Sequence, residues 1–252
     1  MLSKSLIKLI HSLEMKKFRK EHNLFVAEGE KLIKDLLTSG VECEKIIATE
    51  QFSSWNRDYK IKELITVNDE ELKKASFLRA PQGIIGLFRQ KNTTADPTIP
   101  QRELCLALDD VQDPGNMGTI VRIADWFGIR HIYCSTGTVD IYNPKTVQAT
   151  MGAIARVEVH YVDLPQFLSN TKKIVPVYGT FLNGENIYEH KLSATGIIVM
   201  GNEGKGIGSE CEKAVSDRLH IPNFPKGCET SESLNVSTAT AIVCSEFRRR
   251  MQ

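Results

Sequence analysis

No apolar run in this 252-residue chain approaches the roughly 18 residues that a membrane span requires. The opening MLSKSLIKLIHSLEMKKFRK lacks the apolar core and small-residue cleavage site of a signal peptide, so the expectation is a soluble, unexported, cytoplasmic protein with no membrane partner. The six cysteines, Cys43, Cys105, Cys134, Cys211, Cys228 and Cys244, form no CxxC pair, and a chain of this size does not need disulfide staples. They read as reduced and mostly buried thiols. The six histidines are equally scattered, and no metal site is expected from their spacing. A GxxxxGK[ST] loop and a GxGxxG fingerprint are both missing, which removes conventional P-loop and nicotinamide dinucleotide chemistry. No Ser/His/Asp grouping supports hydrolysis.

What is present is ordinary globular material, 41% hydrophobic and 25% charged. Length favours two domains. The Thr- and Pro-rich run Gln90–Pro100 marks the joint, with an amino-terminal domain over 1–90, a linker at 91–101 and a second domain over 102–252. Net charge is only +1, but the first twenty residues carry Lys4, Lys8, Lys16, Lys17, Arg19 and Lys20 against Glu14. Such a basic helix suits a phosphate backbone, although a solvated helix face has the same composition.

Periodicity assigns the first domain to an α/β sandwich. One helix runs from Leu2 to Leu13; strands fall at 24–27, 45–48, 64–67 and 84–88, and helices at 29–37 and 69–75. In the second domain, nearly continuous apolar strands at 104–108, 132–134, 157–159, 174–178, 197–200 and 218–221 alternate with helices at 115–127, 144–149, 164–170, 209–215 and 237–250. That alternation implies a parallel sheet covered on both faces, with ligands expected at the carboxyl ends of its strands.

Three loops at such ends are unusual. Asp109 to Arg122 contains Pro114-Gly115-Asn116 leading into a helix whose free N–H groups suit an anionic or polar ligand. Gly201-Asn202-Glu203-Gly204-Lys205-Gly206-Ile207-Gly208 has more backbone freedom than a plain turn needs, as expected where main chain approaches a ligand of nucleotide type. Ile221 to Ser237 ends in Ser233-Leu234-Asn235-Val236-Ser237, whose polar members could also simply cap the following helix.

The ordered segments LDDVQDPGNMGTIVRIADWFGI, VMGNEGKGIG and IP…ESLNVSTATAI resemble the SPOUT class of RNA methyltransferases, specifically the SpoU or TrmH family of 2′-O-ribose methyltransferases. The amino-terminal LIHSLEMKKFRKEHNLFVAEGEKLIKDLL and APQGIIGLF resemble the L30e-like substrate-binding domain that precedes many catalytic domains of that family. The resemblance implies an α/β fold with a deep trefoil knot in the second domain, and S-adenosylmethionine as co-substrate without a metal. It also implies a structured RNA substrate, ribosomal or transfer, and a homodimer formed through the carboxy-terminal domain. It places cofactor contacts at Thr180, Gly201, Asn202, Glu203, Ile221, Ser233 and Leu234, and the polar catalytic set at Asn116, Arg122, Ser233 and Asn235. RNA contacts are expected from Lys16, Lys17, Arg19 and Lys20. The stretch Asn223–Ser231 is longer than is usual for the family, so the lid over the pocket is expected to differ in shape. The alternative from another class, a noncatalytic RNA-binding or ribosome-assembly factor that keeps the fold, is disfavoured because Arg122 and Asn235 are both retained.

Overall fold

The computed structural model describes residues 2–225, 228 and 231–251. It divides into two compact units, one of residues 1–92 with 140–156 and the other of 93–139 with 157–252.

In the first unit, helices α1 (Lys4–Ser12) and α2 (Lys16–His22) lead into β1 (Leu24–Glu28), α3 (Glu30–Thr38) and β2 (Cys43–Ala48). The short α4 (Trp55–Asp58), β3 (Leu64–Thr66), α5 (Asp69–Ala75) and β4 (Ile84–Arg89) follow. The four strands form one sheet in the order β1-β4-β2-β3, with β2 and β3 parallel and the other pairs antiparallel. Leu72 and Ala75 of α5 enter a core with Ile10, Leu13, Val26, Ile47 and Leu87. The α5 start is sharp because Asn68 and Glu71 close a reciprocal capping box.

The expected first helix is followed by a second, α2, that carries Lys16, Lys17, Arg19 and Lys20, and the break between the two explains Arg19. This residue is 2% exposed. Its Nη1 donates to the carbonyls of Leu13 and Glu14, just past the end of α1, at 2.8 and 2.7 Å, and its Nε and Nη2 donate to Asp140 at 3.0 and 2.6 Å. Arg19 is thus a buried structural cation that satisfies carbonyls left open where a helix ends, and this corrects its expected place on an RNA-facing surface. Lys16, Lys17 and Lys20 are exposed. Replacing Arg19 with methionine strands the Asp140 carboxylate and those carbonyls, and should cost about 3 kcal/mol of stability. Urea denaturation followed by circular dichroism checks this, and an unchanged midpoint would refute it.

Residues 140–156, assigned by sequence to the second domain, group with the first unit. Helix α7 (Pro144–Thr150) packs on β1, and Tyr142 meets Phe25 with ring centroids 4.8 Å apart.

The second unit carries β5 (Leu104–Leu108), α6 (Pro114–Trp126), β6 (His131–Cys134), β7 (Glu158–Tyr161), α8 (Leu164–Thr171) and β8 (Val177–Asn186). Then come β9 (Gly196–Met200), α9 (Ser209–Lys213), β10 (Asp217–His220) and α10 (Val236–Arg249). All six strands are parallel, in the order β10-β8-β9-β5-β6-β7. Strands β5 and β9 are buried along their whole length, as their unbroken apolar sequence requires. Strand β8 runs well past the expected Tyr178, and its pairing with β10 skips from Gly179 to Glu185. The expected linker is packed rather than free: Thr93 donates to the Val159 carbonyl at 2.9 Å, and Pro100 is buried in a short 3-10 turn.

All six cysteines are free, five of them buried and Cys228 exposed. Burial pushes the thiols of Cys43, Cys105, Cys211 and Cys244 up to about 12, so they stay protonated and inert. Among the described residues no helix is long and apolar enough to cross a membrane.

Candidate active site

Strand order reverses at β5, which sends the chain to β6 on one side and has β9 on the other. The loops leaving β5 and β9 therefore meet at their carboxyl ends, where open α/β sheets bind ligands. The Asp109 amide donates to the Met200 carbonyl at 2.9 Å, and the Gly208 amide donates to Asp109 Oδ2 at 2.8 Å. Asp110 holds a left-handed backbone at φ 59°, uncommon for a residue with a side chain.

The glycine loop is stitched from within by Asn202. Its backbone pairs with Gly206 in both directions at 2.9 Å, its Oδ1 accepts from the amides of Gly204 and Lys205 at 3.0 Å, and its Nδ2 donates to the Asp110 carbonyl at 2.7 Å. Gly206 turns the loop at φ +70°, a conformation that costs glycine nothing. Glu203 bridges to the other loop, accepting from Asn116 Nδ2 at 3.0 Å and from the amides of Asp113 and Gln112 at 3.2 and 3.3 Å. Protein groups thus engage the polar atoms of both side chains.

Helix α6 begins where Asp113 accepts from the Asn116 amide at 2.7 Å, with Pro114 in the first turn. Helix α10 begins at Asn235, whose Oδ1 accepts from the Ser237 and Thr238 amides at 2.9 and 3.4 Å. The Asn235 Nδ2 remains free to donate to Asn116 Oδ1 at 3.0 Å. Glu203, Asn116 and Asn235 therefore form one chain of hydrogen bonds from the glycine loop across the amino ends of two helices, where positive dipole ends favour an anion or a developing negative charge.

Burial works to raise the Glu203 pKa, but the hydrogen bonds from Asn116 and from the amides of Glu203 itself, Asp113 and Gln112 outweigh it and hold the carboxyl below its ordinary value. A depressed folded-state pKa contributes stability that is present above the unfolded value and is lost as pH falls through the folded one. Glu203→Gln should therefore destabilise most near neutrality, and the gap to wild type should close in urea titrations taken from about pH 7 to about pH 3.5. A gap independent of pH would disprove the account.

The remaining expected residues lie outside this chain of bonds. Arg122, further along α6, is exposed and has no hydrogen-bond or ion-pair partner among the described residues. Thr180 on β8 donates to the Val199 carbonyl of β9 at 3.2 Å. Gly201 is buried at the end of β9, Ile221 is half-buried after β10, and Ser233 and Leu234 are exposed just before α10. Of the long stretch Asn223–Ser231, Lys226, Gly227, Glu229 and Thr230 lie outside the described residues. Lys16, Lys17 and Lys20 belong to the first unit. Sequence reasoning missed Asp109 and Gln112; the run Asp109-Asp110 directly after an apolar strand was the available signal.

Comparison with known proteins agrees with this architecture. The MRM3-like substrate binding domain matches residues 4–86. A 23S rRNA (guanosine(2553)-2′-O)-methyltransferase of Bacillus subtilis is 29% identical over 239 residues, covering 94% of this chain and 93% of its own. The structure of a putative TrmH-family RNA methyltransferase from Porphyromonas gingivalis superposes with a TM-score of 0.88 at 39% identity, covering 99% of both chains. An AdoMet-bound rRNA methyltransferase from Sinorhizobium meliloti superposes at 0.85 and 28% identity over 100% of this chain and 97% of that one. With residues 103–245 matching the SpoU rRNA methylase family, more than half of the sequence, the chain belongs to that family.

Proposed function

We propose that this protein transfers the methyl group of S-adenosylmethionine to a ribose 2′-hydroxyl of structured ribosomal RNA. The observation that carries the reading is the union, at the sheet's reversal point, of the glycine loop with the amino ends of α6 and α10 through Glu203, Asn116 and Asn235. The rRNA target is supported by what the Bacillus subtilis and Sinorhizobium meliloti proteins are named for.

A 2′-hydroxyl is a weak nucleophile that must be held in line with the sulfonium methyl while its proton leaves. Asn116, Ser233 and Asn235 orient the ribose. Arg122, exposed and without a hydrogen-bond or ion-pair partner among the described residues, binds the neighbouring phosphate and stabilises the developing alkoxide; a guanidinium stays protonated and is a poor base, so the proton leaves through phosphate or water. The sulfonium is already an activated donor, and the step uses no metal. The cofactor lies against Thr180, Gly201, Ile221, Ser233 and Leu234 within a deep trefoil knot of the second domain. The crossed order of β8, β9 and β10 and the likeness to the AdoMet-bound structure support that placement. The first domain is L30e-like and holds RNA by shape and backbone contact through exposed Lys16, Lys17 and Lys20.

The homodimer that the resemblance implies belongs to this proposal: Trp126 on α6 is 85% exposed and supports it, whereas Val236, Val243 and Phe247 of α10 are buried within their own chain.

The test is mapping of 2′-O-methyl positions on ribosomal RNA treated with the protein and S-adenosylmethionine, expected to show one new site. Reversing Lys16 and Lys17 to glutamate should weaken RNA binding and flatten its salt dependence while leaving S-adenosylmethionine affinity intact. Methylation confined to transfer RNA, or none on any RNA, would overturn the reading.

A further inference from the structure

Away from the catalytic loops, parallel pairing aligns His131 of β6 with Glu158 of β7 and Tyr133 with His160. Residues two apart on a strand share a face, so His131, Tyr133, Glu158 and His160 all project from one side of the sheet. His131 and Glu158 open β6 and β7, at the strand ends opposite those that carry the glycine loop, Tyr133 and His160 stand two residues further along, and β7 is an edge strand. His131 Nδ1 lies 3.2 Å from His160 Nε2, and Glu158 Oε2 lies 3.8 Å from each of them. The side chains of His131 and His160 are 14% and 1% exposed, whereas that of Glu158 is 49% exposed.

As protein alone, this cluster is underbonded. The two imidazoles meet through a single hydrogen bond, the carboxylate is out of hydrogen-bond range of both, and His160 Nδ1, which is not one of the facing atoms, is buried without a partner. The rings are held in place by stacking, with His160 against Tyr133 at 5.2 Å and Tyr133 against Phe167 at 4.2 Å between centroids. Two nitrogens bound to one zinc ion at about 2.05 Å with a tetrahedral angle stand about 3.3 Å apart, close to the observed separation. The half-exposed Glu158 needs only a small side-chain rotation to complete a third bond.

We propose that His131 Nδ1, His160 Nε2 and Glu158 form a binding site for a zinc-class divalent transition metal, with water as fourth ligand. The ion would tie the edge strand β7 to β6. It is independent of methyl transfer, which uses the opposite end of the sheet. Histidine spacing in sequence hid the site, since its ligands come from strands 29 residues apart in the chain.

The test uses the full chain without a polyhistidine tag, stripped with a chelator and titrated with Co2+ and then Zn2+. One Co2+ per chain is expected, with the visible absorption of tetrahedral nitrogen and oxygen coordination, and Zn2+ should displace it. Glu158→Gln should weaken Co2+ binding by about tenfold or more, and His131→Asn should abolish the spectrum. Both sites of substitution tolerate change better than buried His160, and far-UV circular dichroism confirms that each variant is folded. Absence of stoichiometric Co2+ binding, or unchanged affinity in both folded variants, would overturn the proposal in favour of a histidine pair that shares a proton.

Discussion

Arg122→Ala should lower the turnover of methyl transfer by about 100-fold or more, with S-adenosylmethionine affinity nearly unchanged. The side chain is exposed on α6 and has no hydrogen-bond or ion-pair partner among the described residues, so its removal strands none of their buried carboxylates or carbonyls. Asn116, on the same helix, is anchored by Glu203 and Asn235 and keeps the helix start in place without help from Arg122. The expected loss therefore falls on the transition state. Arg122→Lys should recover only part of the rate, because a point charge cannot offer the planar fork that a phosphate and an alkoxide would share. Single-turnover rates and calorimetric titration with S-adenosylmethionine separate the two effects. Full turnover in Arg122→Ala on native RNA that is unmethylated at the target would end the assignment, and a parallel loss of cofactor affinity would move Arg122 from the reacting centre to the pocket.

How much of this was legible in the sequence depends on whether a residue's partner lies near it in the chain. Strands β5 and β9 are legible because burial on both faces demands unbroken apolar runs, and α5 because Asn68 and Glu71 announce a capping box three residues apart. The later half of β8 is invisible to the same logic, since residues 180–186 are mostly exposed or half-buried and carry no apolar signature. Arg19 misleads because a charged residue in a basic run reads as surface, while its burial depends on Asp140, 121 residues away. Tyr142 and α7 join the first unit through Phe25 and β1, a link that no boundary composition records. In the candidate site, glycine spacing and the Asn116 and Asn235 motifs marked loops that the structure joins by hydrogen bonds. The work of Asn202 and Glu203, which fasten those loops to each other, could come only from geometry.

Gly201→Ala should lower S-adenosylmethionine affinity by about 100-fold or more and reduce the thermal midpoint by about 5 °C or more. A Cβ at Gly201 would stand 2.2 Å from the Gly206 carbonyl carbon, 2.3 Å from the Ile207 nitrogen and 2.5 Å from the Gly206 oxygen. All three are backbone atoms, and none can rotate aside as a side chain would. Relief requires opening the Asn202–Gly206 bridge, and Asn202 also holds the Asp110 carbonyl, so the disturbance spreads to the loop after β5. The damage thus arises inside the loop, before any ligand is considered. Gly204→Ala is the matched control: its Cβ would approach nothing closer than Asn202 Oδ1 at 3.8 Å, so binding and melting should stay near wild type. Calorimetric titration and thermal denaturation of the two variants decide the matter. Wild-type affinity in Gly201→Ala, or an equal loss in Gly204→Ala, would mean that close packing of residues 201 and 206 does not shape the cofactor site.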